Sequence, residues 1–312
     1  MRTVYPLQDS GEALRDTAVA IGVFDGVHRG HQEILHQTVR EARSQGLTPA
    51  VLTFDIHPSE LFAPNASPSY VASLERRARL IERYGGGIEA VGIARFDRAF
   101  AALSPEAFVA DVLKAKLGAR HVLVGADFCY GQGRAGTVTT LLGAGARSGF
   151  AVTVVPPVLI DSERVSSTQI RGLVGEGDLP AARGLLGHSF VLEGTVVTGK
   201  QLGRTLGYPT ANVSPLGPRL LVPGDGIYAA YALLADGRAV RSAVSVGTNP
   251  TTDTDGGRKI EAYLMDGFAE DLYGQRLSLD FHEKIRDTQK FDGLDVLMAQ
   301  MARDVEQIAS IL

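Results

Sequence analysis

Ala18-Val-Ala-Ile-Gly-Val-Phe24 is a continuous apolar run of strand length, and Asp25-Gly-Val-His-Arg-Gly-His31 follows it as a glycine-bearing loop. Behind the loop, residues 31–45 set Ile34, Leu35, Val39 and Ala42 on one helical face, with Gly46 as a stop. The chain then repeats this alternation. Apolar runs at 49–54, 88–94, 121–124 and 151–155 read as buried strands, with helical patterns at 74–84, 105–117 and 138–147. Apolar strands separated by helices predict an α/β region with a doubly wound, Rossmann-like parallel sheet. Ligands of such sheets sit beyond the carboxyl ends of the strands, so chemistry is expected in the loops after Phe24, Phe54 and Val124.

The periodicity changes near Gly187. Residues 190–197 alternate as a strand, and strands at 227–234 and 239–246 meet across Asp236-Gly237, a strong hairpin signal. Strands at 259–265 and 276–285 follow without intervening helices, which predicts an antiparallel barrel or sandwich. Leu294, Leu297, Met301, Val305 and Ile308 then recur at spacings of three and four, so a last helix packs one face on that sheet. Two domains are expected, 1–186 and 187–312, as the length of 312 residues suggests.

Composition excludes several classes. Hydrophobic residues make up 45% and charged ones 21%, enough for a real core and against disorder. A single cysteine, Cys129, forbids an internal disulfide and argues against a zinc cluster. The first 186 residues carry 19 basic and 19 acidic side chains and the remainder 12 and 16, so a nucleic-acid partner gains no support. The opening ten residues lack the apolar core of a signal peptide. The longest apolar stretch, 150–160, is interrupted by Thr153, Pro156 and Pro157 and is too short to span a bilayer. A soluble cytoplasmic protein without a membrane partner is the expectation.

His28 and His31 stand three apart where the first loop turns into its helix. Helix starts offer unpaired N–H groups and partial positive charge, which suits a nucleoside triphosphate. Two imidazoles there can donate to oxygens that gain charge as an α-phosphate becomes pentacovalent, and Gly30 lets the backbone come close. The competing reading is a glycine turn with surface histidines. His57, before Pro58, would join the same site or serve a purely structural role. Arg164-Val-Ser-Ser-Thr-Gln-Ile-Arg171 offers two guanidinium groups and hydroxyls, with Ser167 or Thr168 placed to cap a helix. Taken alone, that segment reads equally as an ordinary cap with solvated arginines.

In the second half, Gly194-Thr-Val-Val-Thr-Gly-Lys-Gln201 approaches a P-loop but lacks its Ser or Thr, and no helical pattern follows. The glycine-rich stretch 199–212 ends in Thr210 and Asn212, which share one face if the chain there is extended. A hydroxyl and an amide oxygen suit a Mg²⁺ carried mainly by ATP phosphates; a Pro-containing β-turn is the bland alternative.

The three segments Gly22–His31, Val124–Gly131 and Ser166–Arg171, in this order, resemble the prokaryotic bifunctional riboflavin kinase/FMN adenylyltransferases, also called FAD synthetases. Pro209-Thr-Ala-Asn212, Gly247-Thr-Asn-Pro-Thr251, Ile260-Glu-Ala-Tyr-Leu264 and Asp271-Leu-Tyr-Gly274 with Ile285-Arg286 are similar to the riboflavin kinase part of the same family. The resemblance implies adenylyl transfer to FMN on the first half and riboflavin phosphorylation on a small six-stranded barrel, with riboflavin, FMN and FAD as substrates and products. It implies that His28 and His31 contact ATP phosphates, with Phe24, Gly30, His57, Arg164, Ser167, Thr168 and Arg171 assisting. Asp127 stands where the family often has Asn near the nucleotide or flavin. On the kinase half it implies Glu261 as catalytic base, and Gly199, Gly203 and Gly207 around ATP. Thr210 and Asn212 would bind Mg²⁺, and Arg286 would lie near the flavin phosphate. Thr252 departs from a common Phe. Two rivals stand beside this reading: a non-catalytic flavin carrier, and an RNA-linked protein sharing the histidine motif.

Overall fold

The computed structural model describes residues 1–4, 6–8, 13–199, 207–247, 258–268 and 270–312. By packing they form two compact units, Met1–Pro68 with Leu74–Ser166, and Ser69–Ser73 with Ser167–Leu312.

The first unit runs β1 (Arg2–Val4), β2 (Thr17–Ile21), α1 (Arg29–Gln45), β3 (Thr48–Phe54), α2 (Pro58–Phe62), α3 (Leu74–Tyr84) and β4 (Ala90–Ala94). It continues through α4 (Arg98–Ala101), α5 (Pro105–Ala107, extended by wider turns over Phe108–Lys116) and β5 (Ala119–Gly125). The hairpin strands β6 (Cys129–Tyr130) and β7 (Gly136–Thr137), α6 (Val138–Ser148), β8 (Ala151–Val155), and the ribbon β9 (Leu159–Ile160) and β10 (Glu163–Arg164) complete it. The six-stranded sheet has the order β1-β4-β3-β2-β5-β8, and every neighbouring pair is parallel. Strand order reverses between β2 and β5: β3 and β4 are added on one side, β5 and β8 on the other. The crevice at that reversal is where such sheets take ligands, and it is flanked by the loops after β2 and β5.

Residues 18–20 of β2 and 51–52 of β3 are sealed from solvent, as apolar runs covered on both faces must be. β2 ends at Ile21, three residues short of the apolar run, because Phe24 turns into the left-handed region (φ 52°) and carries the chain into the loop. β1 was not anticipated, since three residues give no periodicity.

The second unit begins with α7 (Ser167–Glu176) and α8 (Leu179–Leu186). A closed antiparallel barrel follows, of β11 (Phe190–Val197), β12 (Thr210–Pro215), β13 (Gly226–Leu233), β14 (Ala239–Gly247), β15 (Lys259–Leu264) and β16 (Arg276–Arg286), in the order β11-β12-β15-β14-β13-β16. Closure removes every free edge. Register fixes the faces: Phe190 lies opposite Phe281, Tyr228 opposite Val244, and Val244 opposite Ala262, all buried inside. The predicted hairpin turn has Gly237 at φ 91°, and the Asp236 carboxylate accepts from the Arg238 N–H at 3.0 Å. The C-terminal helix, Leu294–Ile311, lays Val305 and Ile308 against Ala229, Tyr263 and Met265 on the barrel's outer face. Only the C-terminal part of the expected stripe joins the core: Ile308 is sealed and Val305 packs beside it, whereas Leu294 stays 53% exposed.

Two features of this unit were not foreseen. α8 is capped by Asp178, whose side chain accepts from Ala181 N–H, and is stopped by left-handed Gly187. The segment 69–73 is strapped on by a parallel bridge of Tyr70 to Leu220, by Tyr70 N–H to Arg219 C=O at 2.7 Å, and by Leu221 N–H to Tyr70 C=O at 2.8 Å.

Candidate active sites

The loop between β2 and α1 is built around its histidines. His28 is the cap of α1: its Nδ1 accepts the His31 main-chain N–H at 3.3 Å, so its ring proton sits on Nε2. The His28 and His31 rings stack, with centroids 3.6 Å apart and 16° between planes. Gly30 is what permits this, because a Cβ there would come within 3.1 Å of His28 Cε1; it makes room for the imidazole. Phe24 lies fully buried with its ring edge-on to His31 at 5.2 Å, so any contact it gives a nucleotide comes from its main chain.

Burial, then the neighbouring His28, then the Arg77 guanidinium push the His31 pKa well below the usual imidazole value, so this ring is neutral at physiological pH. Its Nδ1 is sealed from solvent with no hydrogen-bond partner. A desolvated polar atom left unpaired is costly, and a bound ligand would supply the missing partner.

The assisting residues fare differently. His57 caps α2: its Nδ1 accepts from the Ser59 N–H at 3.2 Å and lies 2.7 Å from Ser59 Oγ. That nitrogen is committed to structure. Arg164 pairs with Asp127 at 2.7 Å, both well exposed, so the Asp at this position meets its own chain's guanidinium. An exposed pair of this kind contributes little stability and is easily exchanged for a phosphate. Ser167, Thr168 and Arg171 belong to the second compact unit. α7 starts at Ser167, so the expected cap position falls on Ser166 and both hydroxyl residues lie in the first turn. Arg171 Nε donates to Ser69 C=O at 2.6 Å.

On the barrel, the kinase candidates come together. β12 is a strand, so Thr210 and Asn212 do share a face. Register sets Asn212 directly opposite Glu261, and Glu261 directly opposite Ser245 on its other side; Thr210 lies opposite Tyr263. Residues paired this way project to the same side, with Cβ atoms about 5 Å apart. Ile260 and Ala262 point into the barrel, so Thr210, Asn212, Ser245 and Glu261 occupy its outer face. Gly199 is required beside them, since a Cβ there would fall 2.2 Å from Asn212 Nδ2. Gly207 takes φ 80°, the left-handed region that favours glycine. Gly203, residues 248–251 of the Gly-Thr-Asn-Pro-Thr motif, and Thr252 lie outside the described residues.

Arg286 has a partner that no motif announced. Its Nη2 and Nε donate to Asp304 on the C-terminal helix at 2.6 and 3.0 Å, and its guanidinium lies 5.8 Å from the Phe291 ring. Asp304 is buried, with 6% of its side chain exposed, so losing its cation strands a desolvated carboxylate. Arg286→Ala is expected to destabilise the barrel by about 3 kcal/mol, read as a lower midpoint in urea unfolding without substrate. A residue that served only to meet a flavin phosphate would leave that midpoint unmoved.

A family model described as FAD synthetase matches residues 10–169, and one described as riboflavin kinase matches residues 186–312. The bifunctional riboflavin kinase/FMN adenylyltransferase of Escherichia coli (strain K12) is 37% identical over 305 residues, which are 97% of this chain and 96% of that one. Its counterpart from Bacillus subtilis (strain 168) is 33% identical over 295 residues, 93% and 91% of the two chains. A solved structure described as a macrolide-efflux protein from Streptococcus pneumoniae is similar with a TM-score of 0.84 at 32% identity, over 97% of both chains. Among the described residues of this chain, no helix is long and apolar enough to cross a membrane.

Proposed function

The chain belongs to the bifunctional riboflavin kinase/FMN adenylyltransferase family, and from that premise we propose that its two reactions run at two separate ATP sites. Residues 187–312 phosphorylate riboflavin to FMN, and residues 1–186 join FMN to the adenylyl group of a second ATP with release of pyrophosphate. Both steps belong to the cytoplasm on this reading. The observation that carries it is the placement of Glu261 across from Asn212 on the face that also holds Thr210.

The two chemistries ask for different groups. The ribityl primary hydroxyl is a poor nucleophile until its proton is taken, so a carboxylate within hydrogen-bond reach is needed, and Glu261 fills that role. The phosphate of FMN is already an anion. Its attack on the α-phosphorus of ATP needs orientation and partners for the growing oxygen charge, not a base. His28, donating from Nε2, and neutral His31 supply donors at a helix start, and Arg164 of the same unit meets the departing pyrophosphate. Half-buried Phe96 and Phe128, near the ends of β4 and β5, offer aromatic surface for the flavin ring.

Hard oxygen donors suit Mg²⁺, and Thr210 and Asn212 offer a hydroxyl and an amide oxygen. Among the described residues no group of three or more His, Cys, Asp or Glu could cage a metal, which fits an ion that takes most of its ligands from ATP. When bound, it would neutralise phosphate charge; Thr210 and Asn212 would hold it, and the missing side chain of Gly199 leaves room for the Asn212 amide.

Incubation with riboflavin, ATP and Mg²⁺, followed by flavin chromatography, is expected to give FMN first and then FAD, with one pyrophosphate per FAD. Riboflavin recovered unchanged would favour a flavin carrier instead.

A further inference from the structure

We propose that Arg77, a residue outside every motif above, is a positioning residue for adenylyl transfer: its buried guanidinium fixes the loop that presents His31. Arg77 lies on α3 and is only 1% exposed. Its Nη1 donates to the Phe54 carbonyl at 2.8 Å and, at the long distance of 3.5 Å, to Thr53 Oγ1. The Thr53 hydroxyl in turn donates to the Val23 carbonyl at 3.0 Å. Val23 precedes Phe24, whose left-handed backbone sends the chain into the loop and whose ring edge meets His31. One side chain therefore clamps the carboxyl end of β3 and, through Thr53, the start of the histidine loop.

A charge is an expensive way to fill that space. Leu80 and Ile81 on the same helix are buried apolar neighbours, and a leucine or methionine at 77 would pack without desolvating a cation. The cation also bears on His31. Together with burial and His28, it disfavours the protonated imidazole, so the ring stays an uncharged hydrogen-bonding group beside the helix start. His28 on the loop and Arg77 from α3 are the charged or titratable groups acting on it.

This inference rests on the assignment of His31 to the phosphates of ATP, and the test separates the two. Arg77→Met and Arg77→Gln are assayed for FAD formation from supplied FMN, with riboflavin phosphorylation in the same preparation as control and His31→Ala in parallel. In both variants kcat for adenylyl transfer is expected to fall about 30-fold, with the KM for ATP little changed and FMN formation retained. The His31 ring-proton titration, followed by NMR, should move to higher pH, because the opposing positive charge is gone. A purely structural arginine would lower the unfolding temperature but leave kcat where it was, whereas the titration moves whenever that charge is removed. A native kcat in a folded variant overturns the proposal. If neither neutral variant folds, Arg77→Lys decides: it keeps the charge but not the fork, so kcat should drop about tenfold with the His31 titration unmoved, and a native kcat refutes the clamp. Should His31→Ala itself keep full FAD synthesis, the phosphate role of His31 has failed. An inactive His31→Ala beside fully active Arg77 variants sinks this inference alone.

Discussion

Glu261→Ala is expected to abolish FMN formation while FAD is still made from supplied FMN. Loss of a general base costs about 10²–10⁴ in rate, so kcat for riboflavin phosphorylation should fall by roughly 10³. The substitution is unusually clean to interpret. Glu261 sits on the outer face of β15 between buried Ile260 and Ala262, so truncating it opens no cavity in the barrel. Surface changes of that kind shift stability by about 0.5 kcal/mol or less, and a lost rate then reports chemistry. Glu261→Gln keeps the size and a hydrogen bond but cannot take a proton, and should be as inactive as the alanine variant. FMN formation that survives in the glutamine variant would remove Glu261 from the base role. Loss of both reactions in a folded protein would undo the two-site assignment.

What made Glu261 hard to read is that an outward strand position carries no sign of its own. Period-two alternation placed Ile260, Ala262 and Leu264 inside, and by the same logic made Glu261 a solvated residue. Only register across β12, β15 and β14 puts an amide, a carboxylate and a hydroxyl side by side, and register is a long-range property. The parallel sheet was legible because strands covered on both faces must be continuously apolar, and its order then located the histidine loop at the strand reversal. Arg77 was legible too, had the period been applied to it. In Leu74-Glu-Arg-Arg-Ala-Arg-Leu-Ile81 it falls three before Leu80 and four before Ile81, so it shares a face with both, whereas Arg76 has that spacing to Leu80 alone and Arg79 to neither. A lone arginine on a buried stripe is a signal easily lost among solvated neighbours. Asp178, Pro180 and Gly187 likewise spelled the start and stop of α8. The Arg286–Asp304 pair had no such trace, since it joins a strand end to a helix 18 residues on by tertiary packing alone.

The complementary variant, His28→Ala with His31→Ala, should leave FMN accumulating. A donor aimed at developing oxygen charge accounts for about 10²–10³ in rate, and two that stack and share a hydrogen bond act as one unit, so the double variant should lose little more than either single one. The two singles are not equivalent, however. His28 caps α1 through Nδ1, so His28→Ala also strips the helix of a cap, at about 1 kcal/mol. His28→Asn restores an acceptor at the cap position while removing the imidazole. If His28→Asn recovers the thermal stability of the native protein but not FAD synthesis, the ring acts on the phosphates as well as on the helix. If it recovers both, the cap was its whole role, and His31 alone carries the chemistry. His31→Ala removes a buried ring with an unpartnered Nδ1, so its stability cost should be partly offset while its rate cost is not. Undiminished FAD synthesis in the double variant, with FMN formation normal, would remove the pair from adenylyl transfer altogether.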